Sequence, residues 1–452
     1  MRKLALLEAG WREPDEVLAG FAEEPFALAL LSGGGGGRGR WSYLARRPLR
    51  TLTVRPEDPG DAFAAMAGLL GPTFEADPQG PPFQGGLAGV MTYELAARLE
   101  EAGLPGHPDW PQLVCGLYPA VLAFDHHARR AIAVGRGDSD EEASVRAEEV
   151  LALMEAPAAP PPAAGGPLSD AFDPITPGSD YEHAVAEVVR RIGEGEIFQA
   201  NAARAWGGRL RADASPLDLA RRLNTSSPAP FGAYLRLPGR AVVSNSPERF
   251  VRVSAERGLQ VETRPIKGTR PRGSTPDEDE ALRQELLACD KDRAENLMIV
   301  DLMRNDLARV CPPGTVEVSE LFKIETFTNV HHLVSTVTGR LADGLKGLDL
   351  LEAAFPPGSI TGAPKVQAIK VIADYEGPRG PYCGSMFWAG FDGAADSSVL
   401  IRTVCLIQDA GGWRYEARAG AGIVADSDPV LERLETEAKI DAIRRALLGA
   451  KA

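Results

Sequence analysis

Cysteine is scarce in this chain, and its spacing excludes the roles in which cysteine organises a fold. The five cysteines are Cys115, Cys289, Cys311, Cys383 and Cys405, and no two of them form a C-x-x-C pair. An odd number of scattered thiols indicates neither a disulfide framework nor a zinc site. We therefore expect the cysteines to serve in packing.

Long apolar runs and an excess of positive charge are also missing. The longest apolar stretches, Phe26 to Leu31 and Val150 to Met154, are too short to cross a bilayer, and Glu8 interrupts the N-terminus before an export-type segment develops. The formal net charge is −14, whereas nucleic-acid binding needs a positive surface that displaces counterions. These absences predict a cytoplasmic protein with neither a membrane nor a nucleic-acid partner.

Proline, alanine and glycine are concentrated in residues 156–178, which have the composition of a linker. They divide the chain into an N-terminal segment, residues 1–155, and a C-terminal segment, residues 179–452. In the second segment the apolar spacing predicts a helix that starts near Ser179 and ends at Gly193. Capping by Thr275 and Pro276 predicts one helix that runs to about Val310, and a further helix is predicted from Pro429 to Leu448.

One lysine, Lys267, lies among three arginines in the segment T-R-P-I-K-G-T-R-P-R-G, residues 263–273. A free lysine is almost fully protonated at neutral pH and is then not a nucleophile. Burial and the neighbouring arginines would both lower its pKa, so Lys267 is a candidate nucleophilic amine. The segment alone favours a solvated basic loop, or a lysine that only binds an anion, because most runs of charge lie on the surface.

Two predicted helices carry pairs of acidic residues at a spacing of three. Asp292 and Glu295 form one pair, and Glu432 and Glu435 form the other, so each pair projects from one helical face. Four carboxylates without His or Cys would favour a hard cation such as magnesium. Acidic pairs of this kind are also common on exposed helices, and spacing alone leaves both interpretations open.

Taken in order, several motifs resemble those of the chorismate-utilising enzymes, a family that includes the anthranilate, aminodeoxychorismate, isochorismate and salicylate synthases. The motifs are I-F-Q-A-N, S-N-S-P-E-R-F, T-R-P-I-K-G-T-R-P-R-G, D-K-D-R-A-E-N-L-M, H-H-L-V-S-T, G-S-I-T-G-A-P-K, I-R-T, A-G-A-G-I-V-A-D-S and E-T-E-A-K. They cover nearly all of residues 175–452, and residues 1–155 match more loosely. The resemblance implies an α/β (α+β) fold in which large antiparallel β-sheets pack as a sandwich with helices outside, and which the N-terminal third joins.

Two positions distinguish the reactions within this family. The water-adding members have a lysine where this chain has Gln199, so hydration of chorismate is not expected. Anthranilate synthases have an alanine in place of Lys267, and a lysine there is typical of the aminodeoxychorismate synthases. The resemblance therefore implies amination at C4 of chorismate, with 2-amination or a non-catalytic, chorismate-binding paralogue as alternatives.

The resemblance also implies roles for individual residues. Lys267 would attack the ring and Glu248 would protonate the leaving hydroxyl, although an ion pair of Glu248 with Arg249 or Lys267 is an alternative role. Glu295 and Glu435 would bind Mg²⁺ directly, with Asp292 and Glu432 in support. The positions expected to contact the substrate are Thr361, Arg402, Gly420, Gly422, Lys439, His332, Gln199 and Trp388, the last of which replaces a tyrosine of the family.

No glutaminase-like cysteine nucleophile is found in this sequence. We therefore expect ammonia to come from a separate class I glutamine amidotransferase subunit.

Overall fold

Short runs of Val, Leu and Ala between turn residues form most of the β-strands, as β-branched and apolar side chains favour the half-buried surface of a sheet. The structure is a computed structural model, and it describes residues 1–33, 39–100, 102–156, 166–255, 258–327 and 330–449. In these ranges the strands are β1 (Lys3–Gly10), β2 (Leu28–Leu31), β3 (Trp41–Ala45), β4 (Arg50–Val54), β5 (Gly86–Met91), β6 (Leu113–Tyr118), β7 (Ala120–Asp125), β8 (Arg130–Gly137), β9 (Asp173–Pro174), β10 (Gln199–Arg209), β11 (Phe231–Leu237), β12 (Arg240–Ser246), β13 (Arg249–Ser254), β14 (Gln260–Thr263), β15 (Ile266–Pro271), β16 (Glu317–Thr326), β17 (Val330–Arg340), β18 (Gly362–Ala363), β19 (Ser385–Gly390), β20 (Ala395–Val399), β21 (Thr403–Asp409) and β22 (Gly412–Ile423).

The helices lie between these strands and follow the same chain order. They are α1 (Pro14–Leu18), α2 (Ala62–Leu70), α3 (Ala96–Leu99), α4 (Asp140–Leu151), α5 (Gly178–Gly193), α6 (Pro216–Ser226), α7 (Pro276–Ala288), α8 (Asp290–Ala308), α9 (Gly347–Ala354), α10 (Lys365–Ala373) and α11 (Pro429–Leu448). No helix among the described residues is long and apolar enough to cross a membrane.

Two large antiparallel sheets organise the molecule, which confirms the predicted fold class. The first has the strand order β1-β8-β7-β3-β2-β11-β12-β21-β22-β10-β18, with β9 also paired to β10. The second has the order β15-β17-β14-β13-β20-β19-β5-β6-β4, with β16 also paired to β17. Strands distant in sequence are thus neighbours, and residues from both ends of the chain meet in each sheet.

Both sheets contain strands from the two predicted segments of the chain. In the first sheet β2 pairs with β11, and in the second β5 pairs with β19. Of the predicted linker, residues 157–165 lie outside the described residues. The following part packs on the molecule, because β9 pairs with β10 and the amide of Leu168 donates to the carbonyl of Leu447. The N-terminal third is therefore part of the same sheet architecture.

The hydrophobic core has one layer between the sheets and further layers under the helices. Side chains of the first sheet, such as Val121 and Val242, meet Val90 and Met386 of the second sheet in one buried cluster. A second cluster packs α8 and α9 against the second sheet, and a third packs α6 and α11 against the first. Each fully buried Val or Leu contributes about 1.5–3 kcal/mol, so these layers hold the sheets and helices in fixed positions.

Of the two helices that carry the acidic pairs, one was predicted correctly and the other was not. The helix predicted from Pro429 to Leu448 is confirmed as α11. The single helix predicted from Pro276 to about Val310 is wrong, because Cys289 is extended and separates α7 from α8. Neither Gly nor Pro marks this break, so no local residue indicated it. As a result Asp290 and Asp292 lie in the first turn of α8, where the helix dipole favours negative charge.

Candidate active site

Lys267 lies within β15, one residue from its start. The strand pairs with β17, and this register sets Thr269 opposite His332. The Lys267 amine reaches across to the turn before α10, where its Nζ lies 3.4 Å from the carbonyl oxygen of Ser359. The side chain is only partly exposed and points into the molecule.

Burial lowers the pKa of Lys267, as expected, but the neighbouring arginines have little part in it. After burial, the nearby charges that act on the amine are Glu295, Lys439, Glu248 and Glu435, of which only Lys439 lowers the pKa further. The three arginines are each neutralised by carboxylates. Arg264 pairs with Glu325, Arg270 with Glu285 and Asp292, and Arg272 with Asp279.

Glu248 follows β12 and is 6% exposed. Its backbone is fixed on both sides, because its amide donates a hydrogen bond to the hydroxyl oxygen of Ser246 and its carbonyl accepts one from the amide of Val399. Its charge acts on Lys267, so the proposed acid and the proposed nucleophile share one site. Arg249, one of its possible ion-pair partners, binds Asp396 and Glu262, at 2.9 and 2.8 Å.

The two acidic pairs converge, although α8 and α11 are more than a hundred residues apart in sequence. Glu295 on α8 and Glu435 on α11 influence each other's charge, and the Nζ of Lys291 on α8 lies 4.0 Å from the Oε1 of Glu432 on α11. Burial raises the pKa of Glu295 and of Glu432. Burial also acts to raise the pKa of Glu435, but Lys439, Lys291 and Lys267 together outweigh burial and the pKa is lowered.

A hard cation fits the chemistry of these four carboxylates, although their side chains have other partners in this structure. Glu435 contacts Lys439 at 2.6 Å, Glu432 accepts a 2.6 Å hydrogen bond from Ser427, and Asp292 lies 3.3 Å from Arg270. Among the described residues, no group of three or more His, Cys, Asp or Glu side chains is arranged to hold a metal ion. The donor set consists of oxygen alone, and the buried Oδ2 of Asp292 has no hydrogen bond within the described part of the chain.

Two glycines of β22 form a bare patch of backbone beside Lys267. A Cβ atom at Gly422 would lie 2.3 Å from the Nε2 of Gln199 and 3.4 Å from the Nζ of Lys267. A Cβ atom at Gly420 would likewise collide with its surroundings, and the carbonyl of Gly420 accepts a 3.0 Å hydrogen bond from Lys439. Neither glycine has a positive φ, so close approach, and not backbone conformation, requires glycine at both positions.

Gln199 is almost fully buried, at 1% exposure, and its Oε1 has no hydrogen-bond partner among the described residues. Thr361 is completely buried, and its hydroxyl donates to the carbonyl of Pro357. Its own carbonyl accepts from the amide of the strand residue Asn201. The structure thus assembles Gln199, Thr361, Gly420, Gly422 and Lys439 around the β10–β22 edge.

Arg402 has the left-handed φ of +50°, which is rare outside glycine. Burial lowers the pKa of its guanidinium, and no hydrogen-bond or ion-pair partner for this group is found in the described ranges. An arginine held in a strained conformation with unused donors suits an anionic ligand. His332 is 4% exposed, and its Nδ1 lies 2.9 Å from the hydroxyl of Thr269.

Trp388 is not placed with these residues, although the resemblance implied that it contacts the substrate with them. Its ring stacks on Phe83 at 4.9 Å between centroids and lies 6.4 Å from the ring of Tyr43. Trp388 and Tyr43 line a separate cavity of about 220 Å³ between the two sheets, together with Arg252 and Asp396. A match of this indole to a tyrosine by sequence position does not indicate which cavity the side chain lines.

Two further polar side chains at the glycine patch were missed from the sequence. The Nδ2 of Asn201 and the Oη of Tyr382 lie 2.9 and 3.0 Å from the position of a Cβ at Gly420. Asn201 is two residues from Gln199 on β10, so the alternation of side chains along a strand could have identified it. Tyr382 precedes β19, and nothing in the local sequence indicated that it reaches β22.

A buried amine with a lowered pKa, an enclosed carboxylate and several cationic groups define an enzyme site for an anionic substrate. The sequence matches the chorismate binding enzyme family over residues 34–445, and the chain belongs to this family. It is 38% identical to aminodeoxychorismate synthase component 1 of Klebsiella aerogenes, over 98% of this chain and 99% of the relative. It is 39% identical to anthranilate synthase component 1 of Streptomyces coelicolor, over 96% of this chain and 85% of the relative.

Solved structures of this family have the same architecture. Anthranilate synthase component I from Streptococcus pneumoniae superposes with a TM-score of 0.79 at 28% identity, covering 91% of this chain and 93% of the other. The isochorismate synthase MenF from Escherichia coli shares the fold, with a TM-score of 0.73 at 18% identity and coverage of 99% and 95%. The protein is therefore a chorismate-utilising enzyme, and relatives with two different names are similar to it at nearly equal identity.

Proposed function

We propose that this protein is an aminodeoxychorismate synthase component I, which replaces the C4 hydroxyl of chorismate with an amino group derived from ammonia. The observation that carries the proposal is the buried Lys267, whose pKa is lowered by burial and whose amine lies at the glycine patch beside Glu248 and Glu295. An uncharged lysine amine at this place is a nucleophile that can bond to the ring. The product, 4-amino-4-deoxychorismate, would serve synthesis of 4-aminobenzoate and folate.

The reaction takes place in two conjugate displacements. The Nζ of Lys267 forms a bond to C2 of chorismate, the ring double bonds shift, and the C4 hydroxyl leaves as water with a proton from Glu248. Ammonia then bonds to C4 and returns a proton to Glu248, the double bonds shift back, and the C2–N bond to Lys267 breaks. The sum is chorismate and ammonia converted to 4-amino-4-deoxychorismate and water, with the lysine regenerated.

Magnesium is part of this proposal. Glu295 and Glu435 would hold the ion, and Asp292 and Glu432 would support them, because these four carboxylates converge from α8 and α11. When bound, the ion neutralises the ring carboxylate of the substrate. The lysines near these carboxylates, Lys291 and Lys439, would then be free to face the substrate.

The source of ammonia is proposed to be a separate class I glutamine amidotransferase subunit. Among the described residues the five cysteines are free thiols, and four of them are buried. Burial raises the pKa of Cys115, Cys383 and Cys405 to about 12 or above, which opposes the thiolate that a glutaminase needs. One aminodeoxychorismate synthase, from Streptomyces pristinaespiralis, is matched over only 52% of its length, so it contains further chain beyond this part.

Anthranilate synthase component I is the second candidate function, favoured by the 39% identity to the Streptomyces coelicolor relative. In that reaction the amino group would be added at C2, the position that Lys267 attacks in the first proposal. C2 of chorismate would therefore bond to the lysine transiently in the first reaction, and would carry the amino group of the product in the second.

Product analysis tests the proposal directly. The purified chain, incubated with chorismate, Mg²⁺ and an ammonium salt, is expected to form 4-amino-4-deoxychorismate, identified by chromatography and mass. Lys267→Ala is expected to lower this rate by at least about 10³-fold, because the nucleophile is lost. Lys370→Ala, at an exposed position of α10, is the matched control and should retain the rate. Anthranilate as the product, or undiminished 4-amination by Lys267→Ala, would refute the proposal.

A further inference from the structure

One buried polar group at the glycine patch has no part in the proposed reaction. Asn201 on β10 is 8% exposed, and within the described residues its Nδ2 has no hydrogen-bond partner. A buried N–H donor without an acceptor destabilises the folded protein. Such groups are rare in native structures and indicate a place where another molecule supplies the acceptor.

The Asn201 amide and one hydroxyl approach the same place on β22. A Cβ atom at Gly420 would lie 2.9 Å from the Nδ2 of Asn201 and 3.0 Å from the Oη of Tyr382. Burial raises the pKa of Tyr382 well above its usual value, so its hydroxyl keeps its proton. Two uncharged hydrogen-bond donors thus lie beside the backbone of Gly420, which has no side chain.

Two hydrogen bonds fix the backbone of Asn201 and therefore the direction of its Cα–Cβ bond. Its amide donates to the carbonyl of Thr361 at 2.9 Å, and its carbonyl accepts from the guanidinium of Arg379 at 2.6 Å. Arg379 is itself buried and pairs with Glu376 at 2.9 Å. These contacts hold the backbone that carries the amide before any ligand arrives, which reduces the entropy cost of ordering the donor on binding.

The separation along β22 indicates which part of the substrate the amide would meet. Gly420 and Gly422 point to the same face and are about 7 Å apart along the strand. Lys267 lies beside Gly422, and the acidic pairs, of which Glu295 and Glu435 act on the same amine, would take the ring carboxylate. In chorismate the carbon next to C2, on the side away from that carboxylate, is C3, which bears the enolpyruvyl ether.

We propose that the side-chain amide of Asn201 donates a hydrogen bond to the enolpyruvyl group of bound chorismate, beside the hydroxyl of Tyr382. The inference rests on the proposed attack of Lys267 at C2, which orients the ring. It makes Asn201 a residue that determines substrate specificity, because a buried donor left unpaired discriminates strongly against ligands without the acceptor.

The variant Asn201→Leu tests this role by separating binding from stability. Titration calorimetry with chorismate and Mg²⁺, without ammonia, is expected to show a Kd raised by about 10-fold or more. The Tm of the ligand-free variant should stay the same or rise, because an unpaired buried donor is removed. The matched control is Asn245→Leu, since Asn245 is also buried but its Nδ2 donates to the carbonyl of Ser227 at 2.6 Å, and its loss should lower the Tm.

A second ligand identifies the group that is bound. The compound 3,4-dihydroxycyclohexa-1,5-diene-1-carboxylate is chorismate without its enolpyruvyl group, and it should bind the wild type and Asn201→Leu with equal affinity. Asn201→Asp, which keeps the shape but replaces the donor with a negative charge, should weaken chorismate binding more than the leucine does.

Three results would overturn the inference. They are unchanged chorismate binding by both Asn201 variants, an equal loss of affinity for the two ligands, and a fall in the Tm of Asn201→Leu as large as that of Asn245→Leu. These binding measurements need no turnover. Formation of anthranilate by the wild type would therefore refute the proposed 4-amination while the role of Asn201 is still decided by its own data.

Discussion

At the scale of single residues, the environment of Lys267 matters more than its sequence neighbours. The three arginines that surround it in sequence each pair with carboxylates, whereas burial and Lys439 lower its pKa. Lys439 is 172 positions further along the chain, so no local pattern could associate the two amines. The sequence suggested that the three arginines help to lower the pKa of Lys267. In the structure, burial and Lys439 lower it instead.

The influence of Lys439 on Lys267 leads to a prediction about pH. Only the uncharged amine attacks, so kcat should rise with pH through the pKa of Lys267 and then level off. Removing a neighbouring positive charge favours protonation, so Lys439→Gln should raise the pKa of Lys267 and move this rise to higher pH. The measurement is kcat at saturating chorismate and a constant concentration of free ammonia.

The exposed Lys370→Gln is the control for that profile, because it removes the same charge away from the site. A profile of Lys439→Gln that coincides with the wild type, or moves to lower pH, would contradict this account of the lysine.

At the scale of elements, β22 contributes to the site because two of its residues are glycines and have no side chain. Gly420 and Gly422 leave its backbone bare where Gln199 and Asn201 of β10 and Lys267 of β15 come close. The sequence indicated that these glycines admit a ligand, but the neighbouring side chains come from two other strands, β10 and β15. The break between α7 and α8 at Cys289 is a second element-scale feature, since it brings Asp292 and Glu295 to the start of a helix.

A methyl group on the glycine patch should affect catalysis more than folding. In Gly422→Ala the new Cβ would lie 2.3 Å from the flexible amide of Gln199 and 3.4 Å from the amine of Lys267, and the φ of this residue is not positive. We expect kcat/KM for chorismate to fall by roughly 100-fold or more, because a displacement of about 1 Å at a reacting group has effects of this size.

The fold of that variant is expected to survive, with a Tm within a few degrees of the wild type. Gly10→Ala on β1 is the matched control, because a Cβ there meets nothing within 4 Å. Normal kcat/KM in Gly422→Ala would show that the patch is not in contact with substrate.

At the scale of the whole molecule, the chain behaves as one unit although its composition suggests two. The pairs β2–β11 and β5–β19 join residues 1–155 to residues 179–452 in both sheets. The cluster between the sheets also takes side chains from both segments, including Val121 and Val242. The Pro-, Ala- and Gly-rich composition of residues 156–178 marks a connecting segment, but the hydrophobic core is not divided there.

Separate expression of the two segments tests this unity. Residues 179–452 alone would expose the unpaired edges of β11 and β19 and half of the inter-sheet cluster, and we expect them to aggregate or to lack a cooperative thermal transition. Co-expression with residues 1–155 should restore a soluble complex with a single transition. A cooperative transition in residues 179–452 alone, measured by calorimetry, would show that the segments are independent domains.

By itself the sequence determined the fold class, helices α5 and α11, and a set of candidate residues whose chemistry suits an anionic substrate. These follow from periodicity, capping and motifs, which are local properties of the chain. Only the tertiary structure decided that the two acidic helices converge, that Trp388 lines a different cavity, and that Asn201 and Tyr382 meet at Gly420. The physical reason is that strand register and helix packing set the distances between residues far apart in sequence. These distances determine how deeply Lys267 is buried, and burial determines whether its amine is charged or nucleophilic.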